Sequence, residues 1–218
     1  MNRFRIFAFI GLLAVICMDT SAQKNVTEDE VSKLYGKARS AMETMPYRQI
    51  SIVESFDDRN RPAVFKSITT TIRMNPDAIH TKVQTEDASG VRLKETIIIG
   101  NKSFSKEGGK EWKENLREGG SGGGSTFTAI GDKEKLRTDI VAEYRGKADD
   151  LDVDLYIVTK KEERVGGALV FVNKYWFTQD FLLVKEESES YYTYAKSLLR
   201  TITTYEYDPN IKVEAPIP

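Results

Sequence analysis

The chain has 218 residues, a hydrophobic fraction of 40% and a formal net charge of −1. This length suits a single domain with a buried core. Acidic and basic residues are interspersed without a polybasic block, which argues against nucleic-acid binding. Cys17 is the only cysteine, so the composition excludes an intramolecular disulfide and cysteine-based metal sites.

Residues 1–22 have the pattern of a secretory signal peptide. Arg3 and Arg5 precede an apolar run over residues 6–18, and small residues lead up to Ala22. The apolar run is too short to span a bilayer comfortably as a helix. We therefore expect an exported protein, periplasmic or secreted, that is cleaved near Ala22.

The mature chain is then expected to be one domain over residues 23–218. A lipid anchor on Cys17 is the alternative to simple cleavage. A bacterial lipoprotein signal has a short apolar stretch with a small residue just before the cysteine. In this chain the residue before Cys17 is Ile16, which is large and branched. The sequence therefore favours cleavage after Ala22.

An amphipathic helix is predicted close to the expected mature N-terminus. Thr27 and Glu30 have the spacing of a capping box, and Pro46 stops the helix. Apolar residues recur between them at intervals of three to four. They are Val31, Leu34, Tyr35, Ala38, Ala41, Met42 and Met45.

The hydrophobic period changes from 3.6 to 2 after Pro46, which predicts an antiparallel meander with one apolar face. Strands are expected at residues 49–56, 64–74, 79–83, 91–99, 103–105, 140–147, 151–157, 168–178, 181–187 and 198–207. A glycine-rich flexible loop is predicted at residues 118–125 and a helical turn at residues 132–137. The fold class is therefore mainly β, with one helix.

Catalytic and metal-binding motifs are weak. His80, the only histidine, is expected on the polar face of its strand, and no serine has a nucleophile motif around it. The glycine-rich loop lacks the lysine and hydroxyl residue that end a phosphate-binding loop. Asp150, Asp152 and Asp154 resemble the start of a calcium loop, but alternation with Leu151 and Val153 fits a strand better. No cofactor or metal is predicted.

Several segments together resemble the LolA/LppX-like superfamily of bacterial lipoprotein and lipid carriers. They are residues 72–80, 98–104 with 109–112, 144–147 with 153–156, 175–187 and 205–216. Two positions depart from the pattern of the superfamily. Phe181-Leu182-Leu183 replaces a Gly-Leu-Pro turn, and His80 stands where an arginine is frequent.

The resemblance implies a strongly curved antiparallel sheet, a half-open β-barrel, with the N-terminal helix over its concave apolar face. It implies a non-catalytic carrier that shields lipid or lipoprotein acyl chains and meets envelope membrane proteins. The candidate cavity lining is Leu34, Ala38, Met42, Ile68, Ile72, Val83, Leu93, Ile97, Leu155 and Phe171. The same residues could instead form a filled core.

A second functional class stays open at this point. The same fold could serve as an interaction or sensor module in the envelope that recognises a protein partner and transports nothing. A hydrolase using His80 is the third. The sequence does not name the ligand or the oligomeric state.

Overall fold

The computed structural model describes residues 24–116, 135–148 and 152–216, which form one antiparallel sheet and one α-helix. The helix α1 spans Glu28–Thr44. The strands are β1 Lys24–Val26, β2 Tyr47–Phe56, β3 Phe65–Asn75, β4 Ala78–Asp87, β5 Gly90–Ile99, β6 Lys102–Glu107, β7 Lys113–Leu116, β8 Lys135–Lys147, β9 Val153–Arg164, β10 Gly167–Thr178, β11 Leu183–Tyr192 and β12 Leu198–Tyr207.

Twelve strands lie in the order β1-β8-β9-β10-β11-β12-β2-β3-β4-β5-β6-β7. Two meanders, β2–β7 and β8–β12, are therefore joined edge to edge. The joint is the long pairing of β12 with β2, which runs from Leu198 opposite Phe56 to Tyr207 opposite Tyr47. Within the described residues β1 and β7 each have one neighbour, so the sheet is open. The mainly β class predicted from the alternating pattern is confirmed.

The start of α1 is fixed by a capping box, as predicted. The Thr27 hydroxyl accepts the Glu30 amide at 3.2 Å, and a Glu30 carboxylate oxygen accepts the Thr27 amide at 2.7 Å. These two bonds satisfy amides that the helix itself leaves free. Within the described ranges, no helix is both long enough and apolar enough to cross a bilayer.

The core lies between α1 and the middle of the β8–β11 meander. Ala38 packs against Phe177 and Leu183, and at most 1% of any of these three residues is exposed. A neighbouring cluster joins Val31 to Ala142 and Val158. The helix is therefore held by two small apolar contacts on one half of the sheet.

The face that carries α1, called the helix face from here on, can be followed across the sheet by cross-strand partners. One row runs Tyr144, Tyr156, Tyr175, Glu186, Thr203, Ser51, Thr69, Val83, Lys94, Glu107. Directly opposed residues share a face. The helix face is therefore aromatic under α1 and rich in hydroxyls beyond it.

The opposite face combines aliphatic rows with ion pairs. Ile202, Ile52 and Ile68 are consecutive cross-strand partners. Beside that row, Arg200 pairs with Glu189 at 2.9 Å, and Lys66 with Glu54 at 3.2 Å. Both faces of the sheet are thus partly apolar, whereas the sequence analysis expected one apolar face.

Two predicted elements differ in the structure. Residues 135–137 begin strand β8 instead of ending a helical turn, because Lys135 pairs with Arg164 at the end of β9. Strand β11 begins at Leu183 because Phe181 takes a positive φ of 62° in the preceding turn. The predicted signal peptide, the glycine-rich loop at 118–125, residues 132–134 and Asp150-Leu151 lie outside the described residues.

Candidate functional site

The candidate lining residues of the helix point towards the sheet. Ala38 and Met42 are buried, and Leu34 is half-buried against the Ala38 cluster. Ala38 and Leu34 therefore pack against the sheet beneath α1.

The candidate lining residues of the sheet divide between its two faces. Val83 lies on the helix face, since Thr69 is its partner, and Phe171 shares that face with Tyr175. The other five lie on the opposite face: Ile68, Ile72, Leu93, Ile97 and Leu155. The predicted set therefore cannot line one cavity beneath the helix. Alternation within a strand shows which residues share a face, but the pairing register decides which of the two faces carries α1.

The interface beneath α1 is an aromatic core. The ring of Tyr35 lies 5.3 Å from that of Tyr175, and Phe177 lies 5.8 Å from Tyr156. A cleft of about 190 Å³ lies beside Val31, between the helix and strands β9 and β10. Ligand sites usually measure about 300–1,000 Å³. This interface therefore serves packing, and a ligand site is better sought elsewhere on the face.

A carboxylate ties the helix to the sheet within that core. The hydroxyls of Tyr35 and Tyr205 donate to the two oxygens of Glu186, at 3.3 Å and 2.8 Å. Burial and then the Glu186 charge raise the pKa of the Tyr205 hydroxyl. Both tyrosines therefore stay protonated donors through the neutral range, and the three side chains link α1, β11 and β12.

A larger groove lies on the other half of the sheet, at the ends of β4, β5 and β6. Its volume is about 700 Å³, within the range of ligand sites. Apolar side chains of Val83, Val91 and Leu93 contribute to its lining. Two of these, Val83 and Leu93, belong to the predicted lining set.

The groove exists because β5 is longer than its neighbour β6. The last pair between them joins Lys94 to Glu107, and β5 continues from there back to Gly90. Gly108 then turns away with a φ of 59°, and its amide donates to the Leu93 carbonyl at 2.8 Å. The uncovered edge of β5 therefore forms one wall, which lets Val91 and Leu93 reach the groove from the opposite face.

Cationic side chains border this apolar surface. Arg92, Lys94 and Lys110 line the groove together with one carboxylate, Glu107. Arg92 is paired with Asp87, and the Lys110 ammonium lies 3.9 Å from the Glu107 carboxylate. Lys94 is exposed and makes no ion pair within the described ranges. The groove therefore combines apolar lining residues with a net positive charge.

The cations of the groove were not among the predicted site residues. The signal for them is the alternation Val91-Arg92-Leu93-Lys94, in which each apolar residue is followed by a basic one. The sequence analysis selected apolar residues alone, and the unequal lengths of β5 and β6, which create the groove, are a tertiary feature.

A neighbouring pocket of about 510 Å³ has the opposite charge. Three carboxylates, from Glu54, Glu86 and Asp87, line it against one ammonium, that of Lys66. The end of β4 separates this pocket from the groove. The same end of the sheet therefore has two adjacent cavities, one with a net positive lining and one with a net negative lining.

His80 belongs to an ion-pair network on the face opposite to the helix. Its Nε2 atom lies 2.8 Å from one Glu95 oxygen, and the Lys106 ammonium lies 2.9 Å from the other. His80 faces the same way as its partners Ile72 and Ile97, so the expected polar face for it was wrong. The network joins β4, β5 and β6. Within the described residues, His80 has no hydrogen bond to a serine hydroxyl.

The aspartates near residue 152 form an ion pair and hydrogen bonds with neighbouring side chains. Asp152 contacts the Lys147 ammonium and accepts the Gln179 amide at 2.9 Å, and Asp154 accepts the Tyr144 hydroxyl at 2.8 Å. Across the described ranges, no group of three or more histidine, cysteine, aspartate or glutamate side chains could hold a metal ion.

Comparisons with known proteins leave the chain without an assigned family. No family model matches the sequence, and no curated protein matches it. A DUF1329 family protein from Desulfovibrio piger is a structural neighbour with a TM-score of 0.30 and 8% identity, over 84% of this chain and 94% of that chain. A TM-score of this size does not establish a shared fold.

Proposed function

We propose that the protein is an exported binding protein that shields the acyl chain of a lipid or lipoprotein, and that the groove at the ends of β4–β6 holds this chain. The observation that carries the proposal is a solvent-open groove of about 700 Å³ at the edge of β5, with Val83, Val91 and Leu93 among its lining residues.

The energetics suit a chain-like ligand. Each methylene removed from water contributes about 0.8 kcal/mol, so roughly six methylenes would contribute about 5 kcal/mol. Part of that free energy offsets the lost motional freedom of the ligand. Such binding needs few directional contacts, and Val83, Val91 and Leu93 supply aliphatic surface for it.

The architecture is compatible with the half-open barrel that the sequence resemblance implies. The sheet is open, antiparallel and long, and the helix α1 packs at one end of the helix face. Curvature of this sheet towards α1 would place Val83 and the groove on the concave side. The signal-like segment at residues 1–22 supports an envelope location, where acyl chains of lipids and lipoproteins are available.

The proposal is tested by binding to the mature protein, with a matched pair of variants. Val91 lines the groove and is 63% exposed, whereas Val165, in the β9–β10 turn, is 64% exposed and lies outside it. Because both side chains are exposed, replacement by asparagine should leave folding intact. We expect Val91→Asn to weaken the binding of dodecanoate or dodecanol about threefold and Val165→Asn to leave it unchanged.

Two results would overturn this proposal. One is a protein that is empty in native mass spectrometry after gentle purification and also takes up neither dodecanoate nor dodecanol. The other is equal loss of binding in the Val91 and Val165 variants, which would place the chain elsewhere on the surface.

A further inference from the structure

We infer that the ligand of this groove carries an anionic head group, a carboxylate or a phosphate, which the Lys94 ammonium binds. This inference rests on the proposed function, since it specifies the other end of the same ligand. It commits the site to a single-chain anionic amphiphile.

The first support is the placement of charge beside apolar surface. Lys94 lies directly opposite Val83 in the pairing of β4 with β5, and Arg92 lies opposite Thr85. Lys94 and Arg92 are two positions apart on β5 and therefore project from the same face. A chain lying on Val83 would thus have an ammonium, a guanidinium and the Thr85 hydroxyl within reach of its head group.

The second support is the charge balance of the groove. Three cationic side chains line it against the carboxylate of Glu107. Glu107 lies opposite Lys94 in register and is shared with Lys110, while Asp87 faces Arg92 from the end of β4. With both carboxylates included, one positive charge remains, and Lys94 carries the ammonium that has no ion-pair partner within the described ranges.

The third support is the contrast with the adjacent pocket. Even with Asp87 assigned to its partner Arg92, Glu54 and Glu86 outweigh Lys66 and give that pocket a net negative lining, which would repel a carboxylate or a phosphate. An anionic amphiphile reaching this end of the sheet would therefore be directed to the groove, and a cationic one to the pocket.

Three ligands with the same chain and different head groups test the inference on the full mature protein. Dodecanoate, dodecanol and dodecylammonium are compared by calorimetric titration below their micelle concentrations. We expect dodecanoate to bind about tenfold more tightly than dodecanol, and dodecylammonium to bind more weakly than either. Added salt should weaken dodecanoate binding and leave dodecanol binding almost unchanged.

The chain offers a matched control for the cation. Lys94 and Lys82 are both exposed lysines on adjacent strands, and Lys82 points to the opposite face, outside the groove. Lys94→Gln should bring dodecanoate affinity close to that of dodecanol, whereas Lys82→Gln should leave the ratio unchanged. Because both side chains are exposed, neither substitution is expected to disturb folding, which circular dichroism checks.

The outcomes separate this inference from the proposed function. If none of the three ligands binds, the proposed function fails. If dodecanoate and dodecanol bind equally well and Lys94→Gln changes neither, the groove holds a chain but does not select an anion, and the inference fails alone. Inorganic phosphate should not displace dodecanoate at equal concentration. If it does, the site is one for a free anion, and the assignment to a lipid head group is overturned.

Discussion

Single hydroxyl groups determine how the aromatic core beneath α1 is assembled. Tyr35 and Tyr205 share Glu186, and the Tyr207 hydroxyl donates to the Leu183 carbonyl at 2.8 Å. A buried hydroxyl without a partner would cost a few kcal/mol. Each of these tyrosines therefore adds a directional contact to its apolar packing, which fixes where the helix sits on the sheet.

The same burial predicts a loss of stability at alkaline pH. Burial raises the pKa of Tyr175 and of Tyr207 from 10.0 to about 12. The folded protein therefore binds these protons more tightly than the unfolded chain. Their contribution to stability is complete below pH 10 and is lost as the pH rises from 10 to 12. Urea unfolding across this range should show a steadily falling free energy of unfolding.

A pair of tyrosine variants tests whether buried tyrosine hydroxyls cause the loss of stability at alkaline pH. Tyr207→Phe should lower stability at neutral pH, because the Leu183 carbonyl loses its donor, and should flatten the alkaline dependence. Tyr194→Phe, at a residue that is 66% exposed, is the control and should change neither. A free energy of unfolding that stays constant through the alkaline range would contradict the burial of these hydroxyls.

At the scale of elements, two glycines are expected to respond to alanine in opposite directions. Gly36 lies inside α1, and a Cβ added there meets nothing within 4 Å. Gly167 begins β10 with a φ of +148°, and a Cβ there would collide with the Tyr194 ring. Gly36→Ala should therefore raise the free energy of unfolding by about 0.5–1 kcal/mol, and Gly167→Ala should lower it.

Chemical denaturation of the two variants measures this difference, with the wild-type protein as reference. The helix variant gains because alanine loses less backbone entropy on folding than glycine. If Gly36→Ala were destabilising, α1 would have to be packed on its exposed side as well. If Gly167→Ala were neutral, the close approach of Tyr194 to the start of β10 would be wrong.

The elements most accurately predicted from the sequence are those with strong local signals. The capping box at Thr27 and the stop at Pro46 bound α1, and strand β12 has the predicted limits. Strand β8 begins earlier than predicted because residues 135–137 gain their strand conformation from pairing with the end of β9. Such a contact joins distant parts of the chain and has no local signature.

The candidate site was predicted only in part, for the same reason. Alternation within β4 places Val83 and Ile79 together, but only the partner Thr69 shows that they face α1 while Ile68 and Ile72 do not. The groove further depends on β6 ending at Glu107. Apolar residues that look alike in the sequence therefore lie on different faces of the sheet. The strand register decides which face each one takes, and the sequence alone does not specify that register.

At the scale of the whole molecule, the sheet is stabilised by different contacts in its two halves. The β8–β12 half has the helix and the aromatic core. In the β3–β7 half, hydroxyls and ion pairs such as Lys106 with Glu95 cover the sheet, whereas the main contacts of α1 are with β8, β9 and β11. This second half also contains the groove, so the proposed ligand would add apolar contacts where the described chain supplies few.

The expected processing of the chain also has a structural test. Cleavage after Ala22 would leave Gln23 directly before β1, so the mature protein would keep the edge strand in which Val26 pairs with Ala142. Mass spectrometry of the exported protein should therefore find a mature N-terminus at Gln23. Cys17→Ala should leave the mature mass and the amount exported unchanged, because cleavage after Ala22 would remove Cys17 with the signal. A diacylated Cys17, or a precursor that accumulates in the Cys17→Ala variant, would instead show that the groove works tethered to a membrane.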